Sequence, residues 1–437
     1  MRKVRIPRFS ILLTLAVAAT ALVLSAVGDA ADEPAKPKSK EPAAPAETPA
    51  GEEKKEVEVD LFAPPADDAS SQEVILFLKR LARLQPEEQS QEGFAAHFNK
   101  FDGALTNVLA RTLDDETISS ASNLRYQVLA VLDRLGDETA AKRREEFVAS
   151  LVKDDRPPIA KLGRQIGFME RMEQLPTQEN ADRQKLIDDL VAFMQEGELE
   201  GPQVGLAMQT AGILEQVSPE LAVAAYNVFA KHIEAAQKPE FAPYAKAMYG
   251  SARRLSLPGH PIEIAGKTVD GADFNITDYK GKVVLVDFWA TWCGPCLQEL
   301  PNVLDNYEKY HEKGFEVVGI SLDENAETLK TFLEENKLPW ATLYDKEQEK
   351  QGFENAIAEH YGITGIPTVI LVNQEGNVVS LEARGERLGE LLAELLGPPL
   401  EKKPEDKPAG DEKPAEEKPA AAKTPGLKIP TKQPLGK

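Results

Sequence analysis

The stretch that most constrains this chain is Val283–Pro301, VVLVDFWATWCGPCLQELP. Val283, Val284, Leu285 and Val286 form a continuous apolar run, the pattern of a strand covered on both faces. Trp292 then leads into Cys293-Gly294-Pro295-Cys296, and a helical periodicity follows through Leu300, Val303, Leu304 and Tyr307. A strand that delivers two cysteines to the first turn of a helix is a redox arrangement. The positive end of the helix favours thiolate over thiol and acidifies Cys293. Two intervening residues put the sulfurs within disulfide reach, so Cys296 can attack a mixed disulfide formed on Cys293. Cys293, nearer the solvent end of the helix, is expected to attack, with Cys296 buried beneath the turn. These are the only two cysteines in the 437 residues, so neither has another partner in the chain. Half of a zinc site would need two further ligands, and no second C-x-x-C or H-x₃₋₅-H exists. No metal is therefore expected.

Composition narrows the rest. A net charge of −21 argues against binding nucleic acid through phosphates. The length asks for two or three domains. Arg2, Lys3, Arg5 and Arg8 precede an apolar run over residues 9–27, the pattern of an export signal. Its length also approaches that of a membrane span, so residues 1–30 read as a cleaved signal peptide or a retained membrane anchor. Both place the remainder in the periplasm or cell envelope. Residues 31–65, rich in Pro, Ala, Lys and Glu, and the Lys-Pro-rich tail 401–437 bury too little apolar surface to fold and are expected to be disordered.

Residues 66–257 read as helix after helix. Val74, Phe77, Leu78, Leu81 and Leu84 mark one stripe, and Leu124, Val128, Val131, Leu132 and Leu135 another, ended by Gly136. Ser218-Pro219 has the form of an N-cap followed by proline at N1. An all-α domain of antiparallel neighbours is expected, with no recognisable chemistry. From Pro258 the period changes to short strands alternating with helices, closed by a hairpin around Asn373–Gly376.

D-F-W-A-T-W-C-G-P-C resembles the active site of the thioredoxin superfamily. Lys280-Gly281-Lys282, Glu299, Pro301 and the long stretch 323–350 resemble its exported TlpA/ResA branch over about residues 258–398. The resemblance implies an α/β thioredoxin-like fold over 258–400, a central mixed sheet flanked by helices, preceded by the separate all-α domain. It also implies a redox-active disulfide Cys293–Cys296 with no other cofactor.

Site residues follow from the same resemblance. Asp287 sits among valines and aromatics, where an unpaired charge is costly; the matching aspartate of thioredoxins shuttles the proton of the resolving thiol. Glu299 matches an acid that tunes the thiols. Trp292 offers a flat apolar surface beside the sulfur. Gly365-Ile366-Pro367-Thr368 resembles the cis-proline loop, where Ile366 and Pro367 meet a bound extended peptide. One departure stands out: thioredoxins carry a lysine near the aspartate, and by register that position here is Gly319.

The leading function is an exported thiol–disulfide oxidoreductase, reducing protein disulfides and recharged by a membrane electron donor. An oxidase of the same fold is one alternative. A thiol peroxidase is another, although Thr291 lacks the proline of the Pro-x-x-x-Thr-x-x-Cys pattern. A third is a binding protein whose helical domain does the work.

Overall fold

In the computed structural model, residues 60–344 and 351–400 are described. The expected export segment and the Lys-Pro tail lie outside them, as does most of the 31–65 linker. Among the described residues no helix is long and apolar enough to cross a membrane.

The N-terminal part is helical. α1 (Ser71–Leu81), α2 (Gln91–Leu109), α3 (Asp115–Arg134), α4 (Ala140–Val152) and α5 (Pro157–Gln174) are followed by α6 (Asn180–Met194), α7 (Gly201–Val217), α8 (Pro219–Ala235) and α9 (Ala242–Leu255). Ser70 opens α1 with a capping box: its hydroxyl accepts the Glu73 N–H, and Glu73 accepts the Ser70 N–H. The predicted stripes face the core, with Leu84, Val131 and Leu135 only partly buried at its edge, and Gly136 ends α3 at φ +91°. The buried carboxylate of Asp102 receives Arg125 at 2.8 Å and Arg143 at 2.7 Å, which ties α2 to α3 and α4. Ser218 does precede a proline at N1, but at ψ 77° its side chain makes no cap bond.

The chain forms two compact units that divide at Glu170/Arg171, inside α5, rather than at residue 257. The expected boundary put α6–α9 with the first helices; by compactness they share a unit with the sheet. The physical reason is a backbone-to-backbone approach. Gly250 in α9 has so little room that a Cβ there would lie 2.4 Å from the Gly362 N. Ser251 Oγ also donates to the Gly362 carbonyl at 3.4 Å, and Arg253 donates to that of His360.

The sheet region holds β1 (Ala265–Lys267), β2 (Asp273–Asn275), β3 (Val283–Trp289), α10 (Gly294–Tyr310), β4 (Phe315–Ser321), α11 (Ala326–Asn336), β5 (Ala341–Leu343), α12 (Ala356–His360), β6 (Thr368–Val372), β7 (Val378–Ser380) and α13 (Glu386–Leu396). β1 and β2 pair as a hairpin. The main sheet has the order β5-β4-β3-β6-β7, with β3–β5 parallel and β6 and β7 antiparallel. β3 is central and nearly all buried, as its valines require. The segment before β3 covers both open edges. Gly259 donates to the Val378 carbonyl beside β7, and Val269 to the Thr342 carbonyl beside β5. α11 and β5, the expected insertion, are present, and β5 extends the sheet in parallel from β4; residues 345–350 of that stretch lie outside the described residues. This is the mixed sheet flanked by helices that the thioredoxin resemblance implied.

Candidate active site

β3 ends at Trp289, and Ala290–Trp292 carry the chain to Cys293, the N-cap of α10. The turn is fixed from below. Thr291 donates its N–H to both oxygens of Asp323 at 3.1 Å and its hydroxyl to Oδ1 at 2.6 Å. Ser321 at the end of β4 donates to the other oxygen at 2.8 Å. Asp323 is 1% exposed, so these donors replace its water. Leu322 N–H reaches the Trp289 carbonyl at 2.8 Å, closing the same junction.

Cys293 and Cys296 form a disulfide, with Cα atoms 5.3 Å apart. Cys293 Sγ accepts the Cys296 N–H at 3.2 Å, a sulfur in the place an oxygen takes in an ordinary N-cap. Pro295 lies in the first turn, where a missing N–H leaves nothing unpaired. The position of Cys293 at the solvent end of the helix predicts that it is the more exposed of the two. Instead they are covered almost equally, 4% and 6%, because Cys293 packs into the core cluster beneath the turn. What distinguishes them is the N-cap position of Cys293, not access.

Asp287 lies on β3 two residues before Trp289, the one position of the strand that is only half-buried. Its carboxyl is nevertheless out of water, and this desolvation pushes its pKa up to about 7. The Glu299 carboxylate adds to the rise and the Arg384 guanidinium opposes it. Gly319 is its partner on β4, as the register predicted. A Cβ there would lie 2.9 Å from Trp289 Nε1, so the indole occupies the space of any side chain.

Glu299, one turn into α10, turns toward the loop before α13. Its Oε1 accepts the Gly385 N–H at 2.8 Å and Asn302 Nδ2 at 2.7 Å. In the same loop Arg384 donates to the Pro367 carbonyl at 3.1 Å. The Ile366–Pro367 bond is cis, as the resemblance implied. Trp292 is 57% exposed and meets the 40% exposed Phe353 edge-on, with ring centroids 6.3 Å apart. Asp287, Glu299 and the cysteines thus gather at the C-terminal end of β3 and the start of α10. Reading the sequence missed Arg384, Asn302, Asp323 and Phe353. The only local signal was Arg384-Gly385 immediately before a helix, with Gly385 at φ +56°.

Residues 255–393 match the Redoxin family. Thiol-disulfide oxidoreductase ResA of Bacillus thuringiensis subsp. konkukian is 35% identical over 128 residues, 29% of this chain and 69% of that protein. The chain belongs to the ResA family of thiol-disulfide oxidoreductases. The ResA of Halalkalibacterium halodurans is 30% identical over 149 residues, 33% of this chain and 81% of that protein. The thioredoxin domain of a thiol-disulfide oxidoreductase from Bacteroides vulgatus is 34% identical over 31% of this chain and 94% of that chain, with a TM-score of 0.28. This protein is accordingly a thiol-disulfide oxidoreductase, and its redox group is the Cys293–Cys296 disulfide.

Proposed function

We propose that this protein is an exported protein-disulfide reductase that keeps other exported thiols reduced. The observation that carries the reading is a Cys-Gly-Pro-Cys pair at a helix N-terminus. The dipeptide between the cysteines sets part of the electrostatics at Cys293, and Gly-Pro is the dipeptide of the reductant thioredoxin, at roughly −270 mV against about −120 mV for the oxidant DsbA.

The cycle begins with the reduced pair. Cys293 thiolate attacks one sulfur of a substrate disulfide; that S–S bond breaks and the leaving sulfur departs as a thiolate that takes a proton from water. Cys296 then gives its proton to Asp287 and attacks Cys293 Sγ. The mixed disulfide breaks, the Cys293–Cys296 bond forms, and the second substrate sulfur leaves as a thiol after protonation. Two electrons and two protons have passed to the substrate. A membrane-bound dithiol donor restores the reduced pair. Glu299 tunes the charge around Asp287, while Trp292, Ile366 and Pro367 receive the substrate peptide.

The basic-then-apolar N-terminus supports export, either as a cleaved signal or as an anchor through residues 9–27. An alkaline phosphatase fusion after residue 60 tests this part, and activity confined to cytoplasmic fusions would refute it. Titration of the disulfide in glutathione buffers tests the direction. A potential near −270 mV is expected, and one above about −180 mV, in the range of disulfide isomerase and stronger oxidants, would overturn the reductase reading.

A further inference from the structure

The Glu299 carboxylate adds to the burial that disfavours the ionised form of Asp287, and a cation acting on Asp287 offsets both. The elements around Asp287 leave few places for one. β4 presents Gly319 at its register and β6 presents Val369, both uncharged. The 2.9 Å gap between a Gly319 Cβ and Trp289 Nε1 closes the β4 route to any longer side chain. α10 presents Glu299. The loop before α13 presents Arg384, the cation that acts on Asp287.

That loop is held firmly for an exposed segment. Arg384 Nη1 donates to the Pro367 carbonyl at 3.1 Å. The next residue, Gly385, donates its N–H to Glu299 Oε1 at 2.8 Å and accepts Asn302 Nδ2 on its carbonyl at 3.1 Å. Gly385 stands at φ +56°, ψ −138°, a conformation that suits glycine and few other residues. The dipeptide Arg384-Gly385 therefore bonds at once to the Ile366–Pro367 loop and to the first turns of α10.

We propose that Arg384 is a positioning residue for disulfide exchange: it is the counter-charge of the Asp287–Glu299 pair, set in place by its bond to the Pro367 carbonyl. The proposal rests on the reading of Asp287 as acceptor of the Cys296 proton. In that step the S–H bond of Cys296 breaks and its proton goes to an Asp287 oxygen. The freed electron pair forms the Cys293–Cys296 bond as the mixed disulfide opens. Only the ionised Asp287 can take the proton, and the guanidinium charge acting on it keeps that form populated at lower pH.

The test is the pH profile, from 5 to 9, of single-turnover reduction of a peptide disulfide by the full chain. Arg384→Gln should move the acidic limb upward by about one pH unit. The rate at pH 6 then falls about tenfold, while the rate at pH 9 stays within about twofold. Arg384→Lys should return most of the limb to its place. Arg387→Gln, which removes an exposed cation paired with Glu390 on α13, should leave the profile unchanged. A limb unmoved in Arg384→Gln, or moved equally by Gln and Lys, overturns the proposal. Asp287→Asn separates the two layers. If it abolishes the limb while Arg384→Gln leaves it in place, the role of Arg384 alone falls; if the limb survives Asp287→Asn, the reading of Asp287 falls and this proposal with it.

Discussion

Thr291 donates both its backbone N–H and its hydroxyl to the carboxylate of Asp323, thirty-two residues further on. In the sequence Thr291 invites comparison with the threonine of a peroxidatic cysteine motif. In the structure its hydroxyl is committed to holding a buried acid, and through that acid it joins the cysteine turn to the end of β4. The rigidity of the strand-to-helix junction comes from this pair.

Removing one donor from a buried carboxylate costs more than the bond itself returns, because the acid stays out of water. Thr291→Val keeps the shape and deletes the hydroxyl. It should lower the stability of the disulfide form by about 1–3 kcal/mol in urea unfolding, with Thr291→Ser much closer to wild type. Equal midpoints for the Val variant and wild type would show that Asp323 draws its support from Ser321 and backbone alone.

Asp287 makes the fold pH-dependent, and the sign follows from its raised pKa. In the unfolded chain it ionises around its ordinary value of 3.8, and in the oxidised native protein only near 7. Between those values the native state holds the extra proton, so stability falls as pH rises, and the loss is complete above about 7. The gap corresponds to at most on the order of 4 kcal/mol. Asp287→Asn should therefore match wild type at pH 4 and exceed it at pH 8. Urea unfolding of the oxidised protein at both pH values measures this, and a constant difference between the two would be inconsistent with the raised pKa.

Gly319 should resist substitution. With Trp289 Nε1 2.9 Å from the position of a Cβ, Gly319→Ala must displace an indole that packs on Phe332 with centroids 5.4 Å apart. Overpacking of this kind costs about 1–3 kcal/mol. A shift in tryptophan fluorescence should accompany the loss; unchanged emission and stability would mean that the indole moves freely.

The close approach of Gly250 and Gly362 predicts a contrast between two helical glycines. Gly250→Ala would drive a methyl into backbone at 2.4 Å and should cost at least about 2 kcal/mol. Gly167→Ala, with nothing within 4 Å, should be neutral or stabilise by up to about 1 kcal/mol, the helix propensity difference. Thermal unfolding distinguishes the two, and equal effects would remove the close contact as the cause.

Much of the sheet region was legible because its signals are local. The valines of β3 announce a central strand, and Gly-Pro within the first turn announces a helix start. Asn325 caps α11 by accepting the N–H groups of Glu327 and Thr328, a local start signal for that helix. The mixed sheet itself was legible only through the resemblance. What escaped is non-local or bonded through backbone. Arg384 carries no motif; its importance comes from a bond to a carbonyl on another loop. Gly250 looks like any helical glycine until Gly362 is brought against it, and that contact places α9 with the sheet rather than across a boundary at 257. Phe353 is one aromatic in a polar stretch until it meets Trp292.

Charge rather than access is proposed to set the order of attack at the disulfide. The two cysteines are nearly equally covered, so exposure does not select the nucleophile. Cys293 caps α10, its sulfur accepts the Cys296 N–H at 3.2 Å, and it faces the positive end of the helix, all of which favour its thiolate. Cys296 sits within the first turn, where its own N–H points at its partner and donates nothing to its own sulfur. Replacing Cys296 by Ser leaves that backbone donor in place, so Cys293 keeps its acidity and loses only the thiol that would resolve the adduct. Cys296→Ser should accumulate mixed disulfides with a peptide disulfide, at least about tenfold more than Cys293→Ser, since the thiolate fraction governs the rate of attack. Acid quenching followed by non-reducing electrophoresis measures both adducts. Equal trapping by the two variants would mean that the helix terminus does not discriminate between the sulfurs, and the assignment of Cys293 as the attacking thiol would fall.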